Sequence, residues 1–147
     1  MNRREANAAA KRVLSLSAWT VVLVAAPAIS YAEELPALRK GIWEFNRTVE
    51  TAPGKTAKLS KKECTTPFAD AKKMNENLLK AGCKFTPLTR SGNSYSFTTT
   101  CKVGEVPMES KSVISIDSPN AYKIRVESRG GGKKSTELLV AKRVADC

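Results

Sequence analysis

The chain contains no histidine, which removes at once the commonest general base and the commonest metal ligand. Its four cysteines include no close pair, so the short Cys-x-x-Cys spacing of structural zinc sites is missing too. Aromatic residues make up only 6% of the chain, too few to interleave with the lysines as a single-strand nucleic-acid surface requires. Carboxylates are scattered: Glu44 and Glu50 fall in one predicted strand, Asp70 and Glu76 in a predicted helix, and Asp117 at a turn. Nothing sets two of them together for acid–base work. There is no internal repeat and no low-complexity tract. The triplet Gly130-Gly131-Gly132 is followed by a strand pattern, whereas a phosphate-cradling loop needs a helix there. Serine and lysine are plentiful, but no motif singles out a Ser-Lys pair. Enzymatic activity is the least favoured class, and no metal, cofactor or specific nucleic-acid partner is expected.

A long apolar run is also lacking. The mostly apolar stretch Val13–Ala28 is shorter than the roughly 18–20 residues that a membrane span needs. It follows Arg3, Arg4, Lys11 and Arg12 and leads to Ser30-Tyr31-Ala32, the layout of a signal peptide over residues 1–32. Arg3-Arg4 stands too far from the apolar core for twin-arginine export, so ordinary secretion is expected. Residues 33–147 then form one domain with no remaining membrane anchor. All four cysteines, Cys64, Cys83, Cys101 and Cys147, lie in it. An even number on an exported chain reads as two disulfides in an oxidising compartment, periplasmic or secreted. The whole chain carries a formal charge of +11, and the domain without its basic leader stays strongly positive. That suits anionic partners, or simply a well-solvated surface.

What is present is alternation. Trp43, Phe45 and Val49 share one face of a first strand, Glu44, Asn46, Thr48 and Glu50 the other. After the turn Ala52–Lys55, a polar second strand runs to Cys64, its lysines suiting a sheet edge. Thr66-Pro67 has the chemistry of a helix start, and Phe68, Ala71, Met74, Leu78 and Leu79 form a stripe expected to pack into the core. Gly82 stands where a left-handed residue ends such a helix. From Cys83 to Cys101 the chain folds about Gly92, with Cys83 opposite Cys101, Phe85 opposite Thr99 and Pro87 opposite Phe97. Cys83, Phe85, Tyr95, Phe97 and Cys101 then share one side. A loop over Lys102–Pro107 precedes a strand from Met108 to Asp117. Folding about Pro119 sets Ile116 against Tyr122 and Ile114 against Ile124. The last strand, Thr136–Val144, has apolar residues on both faces and reads as covered on both.

These elements predict a mostly β fold with a minor α part. It is an antiparallel meander of about seven strands, a curved sheet or a small lipocalin-like barrel, with one helix after the second strand. The helix carries the chain back across the sheet, which favours Cys83–Cys101 with Cys64–Cys147. The rival pairing, Cys64–Cys83 with Cys101–Cys147, would clamp the helix ends and stays open.

Taken together, LPALRKGIWEFNRTVE, ECTTP before a helix, AGC, SGNSYSFTTTC, AYKIRVES and the terminal KRVADC resemble a secreted proteobacterial family, the domain of unknown function 3617. Ala145 stands where that family is expected to have glycine. The resemblance implies the envelope of a Gram-negative bacterium and supplies no catalytic residues. A fainter likeness, Gly41-Ile42-Trp43 with Arg143 in the last strand, is similar to the lipocalin pattern in which an arginine packs over that tryptophan. The functional expectation is a non-enzymatic binding protein. Trp43, Phe45, Phe85, Tyr95, Phe97, Tyr122 and Ile124 would face a small apolar ligand or fill the core. The alternative is an interaction protein whose basic surface meets an anionic envelope component.

Overall fold

A computed structural model describes residues 34–51 and 54–147; the expected signal peptide lies outside the described residues. The elements are β1 (Gly41–Thr51), β2 (Lys55–Thr65), α1 (Ala71–Lys80), β3 (Lys84–Phe85), β4 (Thr89–Ser91), β5 (Ser94–Val103), β6 (Val106–Ser118), β7 (Ala121–Gly130) and β8 (Lys133–Ala145). All eight strands join one sheet in the order β2-β1-β8-β7-β6-β5-β3, with β4 also on β5. Every pairing is antiparallel. Strands β5 to β8 form the expected meander, and β8 then pairs with β1, so the first hairpin extends the sheet beyond its last strand.

The sheet is open, which overturns the lipocalin-like barrel. Its edges are β2 and the β3/β4 arm. Closure would need β2, eleven residues long, to find a partner in strands of two and three residues. That arm is short because the chain around Pro87, which has no N–H to donate, leaves the ladder. The turn explains the break. Ser91 pairs with Ser94 across a two-residue Gly92-Asn93 loop, and Gly92 takes φ +61°, the conformation that matches strand twist. Phe85 still pairs with Thr99 as expected. One residue must therefore drop out between the two segments, and Pro87 does not face Phe97 in the ladder. The expected loop at 102–107 is likewise only the Gly104-Glu105 turn, because Val103 pairs with Val106.

The register carries one apolar face through the sheet: Phe45 faces Ala141, Ala141 faces Tyr122, Ile114 lies between Ile124 and Tyr95, and Phe97 is next along β5. The core forms at one end of it, from Leu38, Trp43, Phe45, Tyr122 and Ala141, with Phe68, Ile116, Ile124 and Leu139 against them. Trp43 is wholly buried. Two tethers hold the lead-in 34–40 over this core. The Trp43 indole N–H donates to the Arg39 carbonyl at 3.0 Å, and Arg143 Nε donates to the Lys40 carbonyl at 2.8 Å. Leu38, flanked by the polar and charged residues Glu34, Arg39 and Lys40, is thereby brought under cover. The opposite face of β8 stays half-exposed, with Leu138 41% exposed, so that strand is covered on one side only.

The helix departs further from expectation. It starts at Ala71 with Asp70 as its N-cap and no side-chain cap bond, because Pro67 to Asp70 form a turn in which Phe68 takes φ +66°. A left-handed phenylalanine is costly; seating its ring 4.8 Å from that of Tyr122 supplies compensating burial. No residue of α1 itself is buried, and Met74 and Leu79 are exposed at 59% and 55%. Of the expected apolar stripe only Phe68 joins the core; its part within α1 does not. The helix end follows the sequence: Gly82 at φ +88° lets the Cys83 N–H reach the Leu78 carbonyl and its own N–H reach that of Leu79, closing a Schellman motif.

Candidate functional site

The two disulfides set the frame. Cys64 joins Cys147 and Cys83 joins Cys101, the pairing favoured by the direction of the chain. Among the described residues no cysteine is free. Cys64–Cys147 fastens the end of edge strand β2 to the tail that follows β8, and Cys83–Cys101 ties the helix end to β5. Such bonds suggest an oxidising, extracytoplasmic compartment. Among the described residues, no helix is long and apolar enough to cross a membrane, and no group of three or more acidic or cysteine side chains is placed to hold a metal ion.

The apolar face is covered at one end and open beyond it. A recess of about 520 Å³ is lined by Phe45, Arg47, Leu59, Ser60, Lys61, Glu137 and Leu139. Register explains the assembly. Phe45 pairs with Lys61 and Ala141, and Arg47 pairs with Leu59 and Leu139, so these side chains project to the same side from three adjacent strands. Phe45 and Leu139 make the floor. Leu59 forms an apolar wall and is 61% exposed. Lys61 Nζ lies 5.3 Å from the Phe45 ring centroid and 2.9 Å from a Glu63 carboxylate oxygen. At the far end Arg47 and Glu137 form an ion pair at 2.6 Å. The hydrogen bond from that guanidinium to Glu137 raises the Arg47 pKa further, so its charge is fixed. On the opposite face, hydrogen bonds from Asn46 and then Lys62 lower the Glu44 pKa. The recess therefore presents an apolar floor with compensated charges at its rim.

The candidate residues separate across this face. Trp43 and Tyr122 pack together with ring centroids 5.5 Å apart. Burial pushes the Tyr122 phenol up to about 12, with the Glu63 carboxylate adding to it. Ile124 packs against the same cluster. Tyr95 is buried beneath Arg90, whose guanidinium carbon lies 5.4 Å from the ring centroid. Phe85 and Phe97 lie 6.3 Å apart at the β3 edge, where Phe97 borders a smaller recess of about 250 Å³ with Pro87 and Lys111. Of the seven candidates only Phe45 reaches the larger recess. Leu59 and Leu139 complete it and were missed, although Leu59 is the one large apolar residue in a lysine-rich strand. Arg143 stands directly opposite Trp43, but its guanidinium lies beside Gly41 and pairs with Asp146; it clamps the lead-in.

These features define a disulfide-stapled open β-sheet with one half-covered apolar face. The chain belongs to the family described as proteins of unknown function, DUF3617, whose model matches residues 38–147. No curated protein and no solved structure matches it.

Proposed function

We propose that this chain is an exported, periplasmic binding protein of the Gram-negative envelope, made with a cleaved signal peptide, which holds a small apolar molecule without transforming it. The observation that carries this reading is the exposed Leu59 facing Phe45 and Leu139 across the recess. An apolar wall left in water over an apolar floor gains by covering both with a ligand. The volume, about 520 Å³, is within the range of small-molecule sites, and the open side suits an extended acyl chain better than a compact ring system. The one carboxylate in the recess, Glu137, is committed to Arg47, which leaves no unengaged carboxylate there for acid–base work.

Native mass spectrometry on protein released by gentle osmotic shock tests this. An added mass should be present in the parent and lost in Leu59→Asp and Leu139→Asp. A clean unliganded mass, unchanged by incubation with lipid extract, would remove the proposal.

A further inference from the structure

The hairpin turns divide between the two ends of the sheet, and the end opposite the core is unusual. Here β5 turns into β6 at Gly104-Glu105 and β7 into β8 at Gly131-Gly132. The two tips pack side by side. A Cβ on Gly130 would come within 2.7 Å of the Pro107 carbonyl oxygen, and one on Gly131 within 3.4 Å of Val106 Cγ1. The first tip is apolar: Val103 and Val106, paired across the turn, are exposed at 66% and 41%. The Cys83–Cys101 bond lies two residues from Val103, roughly 7 Å along the strand. It brings the C-terminal turn of α1, with exposed Leu79, to the same end.

The surrounding charge has one dominant sign. Lys55, Lys84, Lys102, Lys133 and Lys134 border this end, all exposed, and among the described residues none is in an ion pair. Of the nearby carboxylates, Glu109 is taken by Arg129, leaving Glu50 and Glu105. Elsewhere on the sheet many bases are matched, Lys61 with Glu63, Lys62 with Glu44, Lys123 with Asp117 and Arg143 with Asp146, and the unmatched ones, Lys58, Arg90, Lys111 and Lys142, are spread over four strands. Exposed valines at a hairpin tip, on an end of the sheet where five unpaired lysines face two unengaged carboxylates, fit one kind of surface: apolar below the headgroups and negative at them.

We infer that this end of the sheet docks on an anionic lipid bilayer, with Val103 and Val106 entering the headgroup region and the lysines meeting lipid phosphates. The inference stands apart from the recess, which lies among β2, β1 and β8, and either can fail alone.

The test is flotation of the whole oxidised chain, as recovered from the envelope without detergent, with vesicles containing roughly one-third phosphatidylglycerol. Binding should weaken by about tenfold in Val103→Asp/Val106→Asp, because two apolar insertions are replaced by charges that the lipid repels. Lys133→Glu/Lys134→Glu, which leaves the valines in place, should also weaken it, and Val144→Asp at the other end should not. Raising salt from roughly 0.05 to 0.5 M should release the parent as the Debye length shrinks. Equal binding by parent and valine variant, or equal binding to neutral phosphatidylcholine vesicles, would overturn the inference.

Discussion

The covered and uncovered parts of the apolar face are built from the same strands, yet they treat water in opposite ways. Over Trp43 and Tyr122 the lead-in brings Leu38, and the turn before α1 brings Phe68; both ring contacts are close and Trp43 loses all exposure. Two residues further along β1, Phe45 is the last core residue, with only the Lys61 ammonium over its ring, and its neighbour Leu59 is left largely in water. The pattern of alternating side chains is continuous across both parts. What differs is whether an irregular segment is tied down over the sheet, and the ties are specific: the indole N–H to Arg39, Arg143 to Lys40, and a left-handed Phe68. Covering a sheet is thus a property of its connections as much as of its strands.

That contrast can be broken most severely at Trp43. Trp43→Ala should cost about 3–5 kcal/mol in a denaturant titration, since a wholly buried ring is lost and a cavity remains. Leu59→Ser, on the open part, should move the same midpoint by less than about 0.5 kcal/mol. Opening Cys64–Cys147 by a double Cys→Ser substitution should cost about 2–4 kcal/mol, because the bond closes a long loop and fastens the edge strand beside the recess. Gly41→Ala should cost about 1–3 kcal/mol: its Cβ would come within 2.6 Å of the Ala145 carbonyl oxygen and press on the Arg143 guanidinium that clamps the lead-in.

Tyr122 gives a milder probe of the same cover. Its folded pKa is raised to about 12 by burial, against about 10 for an unfolded tyrosine. Below about pH 10 both states keep the proton and the contribution is fully present; between about 10 and 12 the unfolded chain ionises first and the contribution is lost. Stability should therefore fall as pH rises through that window, less steeply in Tyr122→Phe. A smaller effect still is expected from Arg47→Ala, about 0–1 kcal/mol, as its ion pair is solvent-exposed.

Much of this arrangement is written in the residues. Period-two alternation is enough to place Trp43, Phe45, Tyr95, Phe97, Tyr122 and Ile124 on one face, since each antiparallel pairing keeps facing residues on the same side. Gly82 ends the helix as expected, because few residues other than glycine take that backbone conformation without cost. The helix stripe is a different matter. Met74 and Leu79 show that α1 has an apolar side, but periodicity says nothing about whether a neighbour is near enough to cover it. Closure of the sheet is equally remote from local pattern, being decided by how many residues β3 and β4 leave free to pair with β2. The recess follows the same rule: Leu59 and Leu139 lie 80 residues apart in sequence, and only the β2-β1-β8 order brings them together.

Chemical-shift perturbation on titration with a medium-chain fatty acid measures the division of the face directly. Changes should concentrate at Phe45, Leu59 and Leu139 and leave the Trp43 indole N–H where it is. A response centred on Trp43 and Tyr122, or none anywhere on this face, would contradict the account.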